Sequence, residues 1–180
     1  APHSESIEYW NHRITDWIII LFMVLGSINF TLFYYSLRGQ FYKLWNTELL
    51  VFILIVVTIC IISTFQLVGT PIYLLDGSIG GIYDLGGAIT DGSFQLIASM
   101  TSSGFYATNY AFWPYETQVM MLISMFIGGM SASTAGGIKI IRHIIIFLLA
   151  KTRIESSFRP DAVKPIKVDS TPVDSGTLIN

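Results

Sequence analysis

The run LLVFILIVVTICIISTFQLV, Leu49 to Val68, holds twenty residues without a single charge. A helix needs about 20 apolar residues to cross the hydrocarbon core of a bilayer. Inside that core every backbone group must be hydrogen-bonded, so helices and closed barrels are the only spanning structures. Composition extends the constraint to the whole chain. Of its 180 residues, 52% are hydrophobic and 12% charged, with a mean hydropathy of +0.60. That is about half the charged fraction of an ordinary soluble domain. The expectation is an all-α membrane protein. A formal net charge of −2 makes no case for nucleic acid as a partner. Cys60 is the chain's single cysteine, so no internal disulfide exists, and it reads as a small packing residue.

Two further apolar segments flank this run. The first, Trp17 to Leu37, is expected to be one transmembrane helix with Thr15 or Asp16 as its N-cap and Arg38 at its far end. Ser27 and Asn29 within it read as hydrogen-bonders between packed helices. The NFT pattern at Asn29 matches a glycosylation sequon, but its membrane depth argues against that use. The last apolar segment is interrupted. Val119 to Ile127 and Ile138 to Ala150 are apolar, and between them lies GGMSASTAGG, Gly128 to Gly137, ten residues with four glycines. Each glycine inside a helix costs about 1 kcal/mol relative to alanine. Neither half spans alone.

Between the second and third segments, Gly69 to Gly92 is glycine-rich and carries only acidic charge. The apolar pattern from Leu85 to Met100 covers at most about four helical turns, too short to span. A short helix that enters the membrane and returns fits this length. A surface amphipathic helix is the alternative, but it would need basic residues on its polar face. The tail from Lys151 to Asn180, with Pro160, Pro165 and Pro172, reads as a soluble connector. The N-terminus has neither an initiator methionine nor a signal region, so the expectation is a processed chain or an excerpt of a longer one.

No lysine or arginine occurs between Lys43 and Lys139. Arg38 and Lys43 lie in the link after the first segment. Lys139, Arg142, Lys151, Arg153, Arg159, Lys164 and Lys167 follow the broken one. The positive-inside rule puts residues 38–48 and 151–180 in the cytoplasm. The stretch from Gly69 to Glu116 then faces outside, with Asp76, Asp84, Asp91 and Glu116 as its charges. These read either as a mouth that concentrates cations or as ordinary solvated loop carboxylates.

Helix, short re-entrant helix, TSSGF, helix is the plan of a pore-loop cation channel. A short helix ending near mid-membrane directs the negative end of its dipole at a passing cation. Extended residues after it can turn carbonyl oxygens inward to replace an ion's water shell. Thr101, Ser102 and Ser103 add hydroxyls without bulk, and Gly104 tolerates unusual dihedrals. TSSG alone could equally be a plain turn. Enzyme readings find little support. STAGGIK lacks the Gly-Lys-Ser/Thr of a nucleotide site. His3, His12 and His143 are too scattered for a metal site. The rivals are a secondary transporter, in which broken helices bind ions near mid-membrane, and a purely structural membrane subunit.

MTSSGF, FIGGMSASTAGGIKIIR and VLGSINFTLFYYSLRGQ together resemble the Trk/Ktr/HKT superfamily of potassium transporters, most closely the bacterial Trk membrane subunit. The resemblance covers nearly the whole chain. It implies four helix–pore loop–helix repeats around one pore, with the third repeat's inner helix broken by a small-residue loop. Residues 1–48 then correspond to the end of the preceding repeat with one transmembrane helix and a cytoplasmic link. Residues 49–150 form a complete repeat, and 151–180 a cytoplasmic connector. Two positions depart from the family pattern: Ser102 where threonine is frequent, and Ala132 where glycine is common.

By this resemblance Thr101, Ser102, Ser103 and Gly104 supply one strand of a selectivity filter, binding potassium through backbone carbonyls. Gly128, Gly129, Ser131, Ser133, Thr134, Gly136 and Gly137 form an intramembrane gating loop. Lys139 and Arg142 anchor the cytoplasmic end, fix the loop, or contact a partner. The implied partners are the remaining repeats of the same pore, a second full-length chain, a cytosolic nucleotide-binding regulatory subunit and the lipid bilayer of an inner membrane. No cofactor is expected in the chain, and potassium is the transported substrate. A sodium-conducting member of the superfamily is the alternative.

Overall fold

A computed structural model describes residues 13–73 and 78–158, with the backbone of 167–168 and 171–172. His3, His12, Asp76, Arg159, Pro160, Lys164, Pro165 and most of the 151–180 connector lie outside the described residues. The fold is mainly helical, and two short antiparallel strand pairs qualify the all-α expectation.

The expected single helix over Trp17–Leu37 is two. Helix α1 (Arg13–Gly26) and α2 (Phe30–Leu37) meet at 94° across a three-residue break. Thr15 and Asp16 lie inside α1 rather than capping it. At the break, the Asn29 side chain accepts the Thr31 N–H at 2.9 Å and caps α2. A 3-10 turn (Phe41–Leu44) leads to α3 (Thr47–Leu67), where the Asn46 side chain accepts the Leu49 N–H at 2.7 Å. At 21 residues α3 is about 32 Å long. Among the described residues it is the one helix long and apolar enough to cross a membrane unaided.

Strands β1 (Pro71–Tyr73) and β2 (Ile79–Ile82) pair at the far end of α3, with Pro71 opposite Ile82 and Ile72 opposite Gly81. The chain then turns back as α4 (Leu85–Thr101), capped by Asp84, whose carboxylate accepts the Gly87 N–H at 2.9 Å. Helix α4 is wedged among α1, α3 and α5, and most of its residues from Gly87 to Met100 are buried. The approach to α3 is close enough that a Cβ on Gly92 would stand 2.9 Å from the Ser63 hydroxyl. Small residues permit this kind of contact between membrane helices.

Helix α5 (Tyr115–Ile127) runs back alongside α3, and Thr117 donates to the Gln66 side-chain oxygen at 3.1 Å. After the non-helical residues 128–139, α6 (Ile140–Phe158) continues beyond the expected Ala150. Strands β3 (Lys167–Val168) and β4 (Thr171–Pro172) form the second pair.

The central core joins Phe52 and Ile59 of α3, Leu96 and Met100 of α4, Met130 and Ile140. A second cluster packs Ile20 and Met23 of α1 on Phe94 and Ile97 of α4. Leu67, Tyr83, Ala88 and Trp113 close the end that carries β1 and β2. There burial, reinforced by Asp91, pushes the Tyr83 hydroxyl well above its ordinary pKa, so it stays protonated beside Thr108 at 3.3 Å. Large apolar side chains such as Leu54, Phe65, Phe126 and Phe147 remain exposed, an apolar surface of the kind that marks contact with lipid or with other protein.

Candidate functional site

The end of α4 and the break between α5 and α6 meet where Gly136 faces Ser102. Thr101, expected in an extended strand, is instead the last residue of α4, and its hydroxyl donates to the Ala98 carbonyl at 3.3 Å. Ser102 adopts φ 56°, ψ 33°, the left-handed conformation that ends many helices. Its N–H and that of Ser103 satisfy the Ser99 and Ala98 carbonyls at 3.2 and 3.1 Å. The extended residues therefore begin at Ser103. The Ser103 hydroxyl approaches the Met23 sulfur at 3.1 Å, tying the segment to α1. Gly104 has φ 74°, and a Cβ there would meet nothing within 4 Å. Ser102 and Gly104 are both exposed and border a groove of about 480 Å³ together with Gln95, Ser99, Tyr106 and Gln118. The Gln95 side-chain oxygen is buried without a hydrogen-bond partner among the described residues.

Residues 128–139 leave the helical path and return to it. At the neck, a Cβ on Gly137 would stand 2.7 Å from the Met125 carbonyl and 2.8 Å from the Gly128 Cα. Both neck glycines have positive φ, 68° and 71°. Crossing backbones and left-handed dihedrals each exclude a side chain here. Between the neck residues the loop is hydrogen-bonded along its length to the α1–α2 break. Met130 N–H donates to Ser27 O at 3.0 Å, and Phe30 N–H to Ala132 O at 3.1 Å. Thr134 donates to Gly26 O from its N–H at 3.1 Å and its hydroxyl at 2.9 Å. Each helix break thus satisfies the backbone groups that the other exposes, which apolar surroundings demand.

The loop reaches α4 as well. A Cβ on Gly136 would lie 2.5 Å from the Ser102 hydroxyl oxygen and 3.1 Å from its Cβ. At the other side the Lys139 ammonium donates to the Ala135 carbonyl and, at 3.5 Å, to that of Ser133. Ser133 itself donates to Met130 O at 2.6 Å. Arg142, one turn further on, is exposed. The structure therefore brings Ser102, Gly136, Thr134, Ser133, Gly128, Gly129, Gly137 and Lys139 into one assembly and leaves Arg142 at its edge.

Sequence reasoning missed the part that three residues play here. Ser27 and Asn29 were expected to join packed helices, yet they form the break that receives the loop. Glu48 went unremarked inside the 38–48 link. Its carboxylate accepts the Ser131 N–H at 2.6 Å and the Ser131 hydroxyl at 2.8 Å. An acidic residue directly after an Asn-Thr helix start was the available signal, but its partner is 83 residues away.

Known proteins resemble this chain in sequence and in overall fold. The chain is 33% identical over 170 residues to the Trk system potassium uptake protein TrkG of Escherichia coli K12, covering 93% of this chain and 33% of the relative. It is 31% identical over 172 residues to Trk system potassium uptake protein TrkH of Vibrio parahaemolyticus, covering 93% and 34%. The crystal structure of the potassium transporter TrkH from Vibrio parahaemolyticus superposes with a TM-score of 0.79 at 27% identity, covering 95% of this chain and 36% of that one. The chain thus spans about a third of the length of these relatives. The family model described as TrkH, cation transport protein, matches residues 2–180, and the chain belongs to that family of membrane transport proteins.

Proposed function

We propose that this chain is part of the ion-conducting subunit of a potassium uptake system, in which it supplies one filter strand and an intramembrane gating loop. The observation that carries this is the stacking of the loop on the filter candidate, Gly136 against Ser102. A loop in that position lies across the path of an ion leaving the segment of residues 101–104 at the end of α4. The burial of α4 among three helices and its C-terminal end at this junction support a re-entrant pore helix, with its negative dipole end toward the ion. Backbone carbonyls of Thr101 to Gly104 would replace part of the ion's hydration shell. Three further strands come from the remaining repeats, which cover the groove beside Gln95.

Potassium is the favoured substrate because the relatives carry that name. A sodium-conducting pore of the same plan is the alternative within this reading. The lysine-free segment between Lys43 and Lys139 supports an inner-membrane topology with 38–48 and 151–180 in the cytoplasm. A dimer of full-length chains and a cytosolic nucleotide-binding subunit complete the proposed assembly. Lys139 fixes the loop through its two carbonyl contacts, whereas exposed Arg142 is free to anchor the cytoplasmic end or meet the regulatory partner.

The test is potassium flux through the full-length polypeptide in liposomes, with Ser131 to Ala135 shortened and with the regulatory subunit present or absent. A gate predicts higher flux and weaker dependence on the partner. Equal partner dependence in the shortened and parent proteins would remove the gating role.

A further inference from the structure

We propose that Glu48 is the clasp that holds the 128–137 loop closed, a positioning residue acting through Ser131; this deepens the gating proposal and rests on it. Glu48 occupies the first turn of α3, two residues after the capping Asn46. Acidic residues at such positions usually face solvent and favour the helix dipole from outside. Here the residue is only 6% exposed. Its two oxygens each take one bond from the same residue, the Ser131 N–H at 2.6 Å and the Ser131 hydroxyl at 2.8 Å. The Asn29 amide approaches that hydroxyl from α2 at 3.4 Å. Ser131 is therefore held between the starts of two helices that belong to different parts of the bundle.

The other ties to the loop run largely through backbone groups of the α1–α2 break. The Glu48 tie has a different character. A buried carboxylate is costly unless hydrogen-bonded, and Ser131 supplies both donors. Moving the loop away strips both at once, so release requires water or another donor to reach Glu48. That makes the closed position cooperative: both bonds hold or both are lost. It also places the release point at the N-terminus of α3, next to the link that carries Arg38 and Lys43. A force applied to that link reaches the loop through one side chain.

The experiment uses the full-length polypeptide in liposomes without the regulatory subunit, with Cys60→Ala and every cysteine of the remaining repeats replaced, and with Ala132→Cys as a reporter of loop exposure. Ala132 is exposed on the loop beside Ser131. Glu48→Ala is expected to raise both the maleimide reaction rate at the reporter and the resting flux by at least about tenfold, because it removes two hydrogen bonds to a charged group and one alone corresponds to about that factor. Glu48→Gln is expected to fall between Glu48→Ala and the parent, because its amide oxygen still accepts the Ser131 N–H. Should Glu48→Ala yield no monodisperse protein, Glu48→Gln and Ser131→Ala are read on the same two signals. Unchanged reaction rate and resting flux in these variants overturn the clasp, even if shortening the loop raises flux. A faster reaction at the reporter supports the clasp, even if shortening the loop leaves flux unchanged and the gate itself fails.

Discussion

The hydroxyl oxygen of Ser102 stands 2.5 Å from the place a Cβ on Gly136 would occupy. The end of α4 and the loop between α5 and α6 are therefore in contact with no room for a methyl group. Gly136→Ala should destabilise the protein by roughly 1–3 kcal/mol, the usual range for overpacking. Ser102→Gly should recover most of that loss, because it removes the opposing atoms and suits the left-handed backbone. Thermal unfolding of the two single variants and the double variant gives the coupling. Additive effects would place the two residues apart.

Gly104 presents the opposite case. With φ 74° and open space where a Cβ would go, its substitution meets a conformational penalty and no local clash. Gly104→Ser should cost only about 1 kcal/mol of stability. In the full-length protein it should nevertheless reduce potassium transport or weaken preference for potassium over sodium, because the added group turns toward the proposed pore. Flux in mixed potassium and sodium gradients checks this, and unchanged preference would make the strand a plain turn.

Ala132 is a non-glycine residue whose φ is 50°. The left-handed conformation costs a non-glycine residue roughly 1–2 kcal/mol. Glycine returns about 0.4–1 kcal/mol of that through the greater freedom of the unfolded chain. Ala132→Gly should therefore leave stability equal or raise it by up to about 1.6 kcal/mol, seen as a small rise in Tm. The Phe30 N–H bond to the residue 132 carbonyl should persist, since no side chain makes it.

Arg13 and Asp84 pair at 3.5 Å at the end of the bundle that carries β1 and β2, with side chains 65% and 67% exposed. Exposed pairs of this kind contribute little. Asp84 also caps α4. Asp84→Ala should cost about 1 kcal/mol through the lost cap, and Arg13→Ala should change stability by under about 0.5 kcal/mol. Equal losses in chemical or thermal unfolding would assign the stability to the ion pair instead.

The legible parts of the fold were those with local causes. The charge-free run Leu49–Val68 became α3 because nothing in it interrupts a helix. The glycines at 128, 129, 136 and 137 announced the break between α5 and α6, and the acidic, glycine-rich stretch announced the return into α4. The α1–α2 break was missed because GSIN interrupts an apolar run with only one glycine. What stabilises that break lies over 100 residues away, in Met130, Ala132 and Thr134. Glu48 was hidden for the same reason, since its hydrogen-bond partner Ser131 lies 83 residues away. Thr101 read as part of the strand because TSSG has no local signal for where the helix stops. The left-handed turn falls at Ser102, a position where glycine would have marked it.

The central claim is that the 128–137 loop moves for ions to pass. A Cβ on Gly26 would lie 3.2 Å from the Thr134 hydroxyl, so Gly26→Cys with Thr134→Cys can tether the loop to the end of α1 without adding bulk beside Ser102. The measurement is potassium flux through this full-length double variant in liposomes, with Cys60 and every cysteine of the remaining repeats replaced and with the regulatory subunit activating it, before and after reduction. The account predicts that the oxidised protein is closed and that reduction restores flux. Full flux through protein shown to be tethered would contradict it.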